Sequence, residues 1–75
     1  MIIEKDLPIN VDSEILSGTP VFTGTRVPVS ALLDNLAAGV SLDDFLENFP
    51  TVSRKQAQQV LEFSKQTIEN LKKAA

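Results

Sequence analysis

Arg54, Lys55, Gln58 and Gln59 stand at i, i+1, i+4 and i+5, which on a helix sets two cations and two amides on neighbouring rows. Such a set suits a nucleic-acid groove, with Gln matched to adenine edges and Arg or Lys to guanine edges or phosphate. Two further basic features stand apart from it. Arg26 is one of two cations in the first fifty residues, and Lys72-Lys73 form an adjacent pair. Catalytic chemistry is harder to assemble. Histidine and cysteine are absent, so the serines and threonines have no visible base, no thiolate zinc site can form, and any metal would rely on carboxylates alone. Asp43 and Asp44 are adjacent, and adjacent side chains on a helix point about 100° apart, so they serve a helix dipole rather than acid–base work. Gly18 and Gly24 match neither a P-loop nor a dinucleotide fingerprint. The composition points away from an enzyme, and no cofactor or metal is expected.

These residues must be positioned by a strand, a hairpin and three helices. Leu7, Ile9 and Val11 alternate with Pro8, Asn10 and Asp12, which reads as a half-buried strand continuing from Ile2-Ile3. Pro8 removes a ladder donor and places that strand at an edge. Pro20-Val21-Phe22 and Arg26-Val27-Pro28-Val29 flank a Thr23-Gly24-Thr25 tip and predict a hairpin. A first helix is predicted over 30–38, stopped by Gly39 as a left-handed C′ residue. Ser41 caps a second helix, with Asp43 and Asp44 in its first turn, and Pro50 ends it. Ser53-x-x-Gln56 is a capping box that starts a third helix at Arg54, whose stripe of Ala57, Val60, Leu61, Ser64, Ile68 and Leu71 runs for roughly twenty residues, about 30 Å. The second and third helices have the size and order of a helix-turn-helix. The fold class is therefore α+β, mostly α: one domain over 1–75, with a strand-and-hairpin arm over 1–29 and a three-helix body over 30–75.

A chain of 75 residues has a thin core, so association is expected to add burial, most simply a homodimer formed through the N-terminal edge strand. No apolar run approaches bilayer length, and Met1 to Asp6 turn polar too quickly for a signal peptide, which predicts a soluble, cytoplasmic protein without a membrane. Residues 1–50 carry Lys5 and Arg26 against eight carboxylates, net −6, whereas residues 51–75 carry five cations against two carboxylates, net +3. Two different contact surfaces follow from that asymmetry. For Arg54, Lys55, Gln58 and Gln59, the solvated face of an ordinary helical core is the stronger reading for a single copy, because Glu62 and Glu69 share the face and repel phosphate. Arg26 either bridges to a carboxylate of its own chain or inserts into an acidic site on a partner.

The order Gly18-x-Pro20-x-x-x-Gly24-Thr25-Arg26-x-Pro28-Val29, then Leu36-Ala37-Ala38-Gly39-Val40-Ser41, then Phe45-Leu46-Glu47-Asn48-Phe49-Pro50, resembles the prokaryotic domain-of-unknown-function family 433. The likeness covers residues 12 to about 63. Gly18, Pro20, Gly24, Thr25, Arg26, Pro28, Gly39 and Pro50 match its motif. Ser13 departs where proline is usual, Thr19 where a basic residue is common, and Asn48-Phe49 where an acid and tyrosine often precede the proline. The resemblance implies a helix-turn-helix-like body with an N-terminal hairpin. It also implies an antitoxin of a two-component module, partnered by a small PIN-like ribonuclease toxin and acting on its own operator DNA. Arg26, Lys72 and Lys73 are then the candidate toxin-binding residues. The alternatives are a stand-alone DNA-binding regulator using Arg54, Lys55, Gln58 and Gln59, and a non-enzymatic structural adaptor.

Overall fold

The computed structural model describes residues 7–74, with side chains through Lys72. Its elements run β1 (Ile9–Asn10), a 3-10 turn (Leu16–Gly18), β2 (Val21–Phe22), α1 (Val29–Ala37), α2 (Leu42–Asn48), α3 (Arg54–Glu69) and a closing 3-10 turn (Asn70–Ala74). This is an α+β fold, mostly α, with a small antiparallel sheet ahead of three helices. The part of the expected strand that begins at Ile2-Ile3 lies outside the described residues.

β1 and β2 pair antiparallel, Ile9 opposite Phe22 and Asn10 opposite Val21. On its other side Val21 bridges to Pro28, so among the described residues β2 is central and β1 is the edge; Pro8 joins the ladder through its carbonyl alone, which accepts from the Thr23 N–H at 3.0 Å. The paired length is shorter than the alternation from Leu7 to Val11 suggests. The Ile9 N–H donates back to the Leu7 carbonyl at 2.8 Å, a local turn about Pro8, and cross-strand bonding reaches back only as far as the Pro8 carbonyl. The hairpin is closed by the Phe22 N–H donating to the Val27 carbonyl at 3.0 Å, so its tip is Thr23 to Arg26, one residue longer than expected. Gly24 reverses the chain at φ +79°. The Thr25 hydroxyl fastens the turn, donating to the Phe22 carbonyl at 2.8 Å and accepting from the Val27 N–H at 3.0 Å.

The helices start and stop where short-range chemistry tells them to. α1 follows Pro28, whose φ of −60° suits the position before a first turn, and begins one residue earlier than predicted. It ends in a Schellman arrangement: the Gly39 N–H donates to the Leu36 carbonyl at 3.1 Å and the Val40 N–H to the Asn35 carbonyl at 2.9 Å, with Gly39 at φ +90°. Nothing lies within 4 Å of a Cβ added at Gly39, so Gly39→Ala would meet only backbone strain. It should destabilise the fold by about 1 kcal/mol, seen as a lower urea midpoint at unchanged slope; a midpoint equal to the parent's would contradict the strain argument. Ser41 Oγ accepts from the Asp44 N–H at 3.1 Å and starts α2. For α3 the predicted capping box is complete: Ser53 Oγ accepts from the Gln56 N–H at 3.1 Å, and Gln56 Oε1 accepts from the Ser53 N–H at 3.0 Å.

One apolar cluster joins the two parts: Phe22 from the sheet, Val29 and Leu32 from α1, Phe45 from α2, Val52 from the turn, and Ala57 and Val60 from α3. Phe45 and Phe49 stack tilted, ring centres 4.7 Å apart. No polar side chain is buried among the described residues. The apolar stripe runs on past this core, leaving Ile68 near the end of α3 and Leu71 in the closing 3-10 turn about two-thirds exposed at 67% and 65%. Among the described residues no helix is long and apolar enough to cross a membrane.

Candidate interaction surface

Most motif residues serve the backbone. Gly18, Gly24 and Gly39 hold φ of +84°, +79° and +90°. The Pro20 carbonyl accepts from the Val29 N–H at 3.0 Å, the Pro28 carbonyl accepts from the Ala31 N–H at 3.0 Å, and Pro50 follows the last residue that can close α2. Thr25 ties the hairpin tip. Arg26 is the exception. It is exposed beside that tip, and no carboxylate among the described residues pairs with it. The own-chain bridge allowed by the sequence is not formed with any described acid. Asp12 Oδ1 accepts from the Glu14 N–H at 2.9 Å, and Asp43 Oδ1 binds Arg54.

Arg26 rims a shallow groove of about 610 Å³ between Asn10 on β1, Ile15 in the following loop, the hairpin tip, and Thr51 after α2. The loop on its border is strained. Leu16 and Ser17 both take left-handed φ, 48° and 56°, immediately before Gly18. Each costs roughly 1–2 kcal/mol for an L residue with a side chain. The turn is held by the Thr19 hydroxyl and N–H, which both donate to the Leu16 carbonyl, at 2.8 and 3.1 Å. Thr19, the departure from a basic residue in the family motif, is thus spent on backbone. Leu16 is left 45% exposed and Val11 50%. A contact invisible in the sequence braces the other side: Gln56 Nε2 donates to the Thr23 carbonyl at 3.1 Å, joining the start of α3 to the hairpin.

The α3 constellation is less uniform than its spacing suggests. Arg54 forms an ion pair with Asp43 across the turn between α2 and α3, both side chains largely exposed. A pair so hydrated contributes little stability, yet it answers a charge that DNA would otherwise meet. Gln59 is half-buried with an interaction of its own. Lys55 and Gln58 are exposed. Farther along, Lys65 pairs with Glu69 at 3.8 Å, and Gln66 reaches Glu62 at 3.5 Å. Lys72 is exposed, and the Lys73 side chain lies outside the described residues. Among the described residues no cluster of acidic side chains could hold a metal.

Residues 9–64 match the profile of a family described as proteins of unknown function, DUF433. A segment of 43 residues is 44% identical to the uncharacterized protein y4eO of Sinorhizobium fredii, covering 57% of this chain and 20% of that protein. The match thus spans only about a fifth of the length of that curated relative. The fold is similar to the crystal structure of a DUF433 member from Anabaena variabilis, with a TM-score of 0.70 at 20% identity, over 92% of this chain and 68% of the other.

Proposed function

The chain belongs to the DUF433 family, and from that premise we propose that it is the antitoxin of a two-component module, binding and silencing a small PIN-like ribonuclease in the cytoplasm. The observation that carries this reading is Arg26: a motif residue with no structural task, exposed and without a partner carboxylate among the described residues. A nuclease of that kind gathers carboxylates around divalent metal, and an inserted guanidinium competes with the metal and with the substrate phosphate for the same acids. The edge of β1 offers a surface for a second copy, so the silencing unit is a homodimer. Operon control on this reading falls to α3, whose first turns expose Lys55 and Gln58.

Lys55 and Gln58, exposed at the start of α3, favour a second reading, a stand-alone DNA-binding regulator. One experiment separates the two. The tagged chain is isolated at physiological ionic strength together with the product of its neighbouring gene. Recovery of one nuclease in fixed ratio, with RNA cleavage suppressed in the complex, supports the antitoxin. A bare homodimer beside an uninhibited nuclease sinks it and leaves the regulator.

A further inference from the structure

We propose that the groove beside the hairpin tip recognises a carboxylate side chain on an extended segment of a partner protein; this rests on Arg26 being free for a partner and names what it takes. Asn10, Arg26 and Thr51 all line the groove, and all are hydrogen-bond donors. None has a side-chain hydrogen bond or ion pair with another described residue, and no acid among the described residues lines the groove with them. Ile15 and Val27 supply apolar contact between these polar groups. At Gly24 nothing lies within 4 Å of where a Cβ would point, so a backbone can approach closely.

The charge favours one carboxylate over a polyanion. A guanidinium matches a carboxylate one to one through two parallel hydrogen bonds. A nucleic-acid strand needs a row of cations, and the first fifty residues carry a net −6 that repels it. The left-handed Leu16-Ser17 pair is an independent sign. Such strain survives only where surroundings enforce it, and it collects at ligand clamps. Leu16 stands 45% exposed in the same loop, which supplies Ile15 to the groove. The groove is shallow and its sheet ends at β1, which suits a length of extended chain better than a compact small molecule.

The test is titration of the isotopically labelled full chain, followed by amide NMR, with the blocked peptide acetyl-Val-Glu-Val-Glu-Val-amide and its Gln counterpart. The Glu peptide should shift Asn10, Ile15, Gly24 to Val27 and Thr51, bind about tenfold more tightly than the Gln peptide, and lose that advantage in Arg26→Gln. The Arg26 side chain bonds to no other described residue, so the variant's spectrum away from the groove should stay unchanged and report an intact fold. Equal binding of both peptides, binding retained in Arg26→Gln, or shifts centred on Lys55 and Lys72 would overturn the proposal. So would a ten-nucleotide single strand that occupies the groove in preference to the peptide. Peptide recognition by a chain that silences no nuclease keeps this site and removes the antitoxin role; silencing with no groove shifts does the reverse.

Discussion

Phe22→Ala is expected to leave the chain largely unfolded at room temperature. Phe22 is fully buried, is among the largest side chains in the core, and is the sheet's member of a cluster otherwise drawn from the helices and the turn before α3. Removing a buried phenyl ring costs about 3–5 kcal/mol, through lost transfer energy and the cavity left behind. Domains of this size seldom hold more than roughly 3–5 kcal/mol in total. The two magnitudes are equal, so one substitution spends the whole margin. The ring also docks the arm on the body: without it, the Gln56 bond to the Thr23 carbonyl and the Val29 bond to the Pro20 carbonyl stand alone against the entropy of a free hairpin. Far-ultraviolet circular dichroism should show most helical signal lost, with no cooperative melt. Phe22→Leu, which keeps most of the volume, should still fold with a lowered Tm. A cooperative melt of Phe22→Ala near the parent Tm would show that the arm is not part of the stabilising core.

The same core explains which features could be read in advance. Helix limits are set by groups a few residues apart, such as the Ser53 and Gln56 box, the left-handed Gly39 and the Pro50 stop, and each was visible as residue types at fixed spacing. The sheet was legible as to which segments pair. Its length was not, because the turn about Pro8 shortens β1 without changing the hydrophobic alternation. The left-handed Leu16-Ser17 turn had no signal at all, since neither residue type prefers positive φ. At the surface, the sequence identified cations and could not say which were spent. Arg54 and Asp43 are eleven residues apart, and only the turn between α2 and α3 makes them partners. Gln56 was recognisable as a cap, while its second bond crosses thirty-three residues. Freedom or engagement of a charge is a tertiary property, and Arg26 acquires its interest only when every nearby motif residue is found to have another task.

On the proposed antitoxin reading, Arg26→Glu is expected to abolish silencing of the nuclease while leaving the melting temperature within about a degree of the parent. The stability half follows from exposure: the side chain has no described partner, and surface substitutions away from caps and core change stability by less than about 0.5 kcal/mol. The binding half follows from desolvation. A guanidinium seated among carboxylates at an interface contributes through charge-assisted bonds made away from water, and truncating one member of such a pair costs about 2–5 kcal/mol, roughly thirtyfold or more in affinity. Reversal adds like-charge repulsion to that loss, so Glu should be worse than Ala, and Lys, which keeps charge without the planar fork, should fall between Ala and the parent. RNA cleavage by the partner nuclease, titrated with each variant, gives the order directly. The same order in inhibition, at constant Tm, identifies a side chain that acts by its charge and geometry. Equal inhibition by all four chains would show that the contact lies elsewhere, with Lys72 in the 3-10 turn that follows α3 the next residue to reverse.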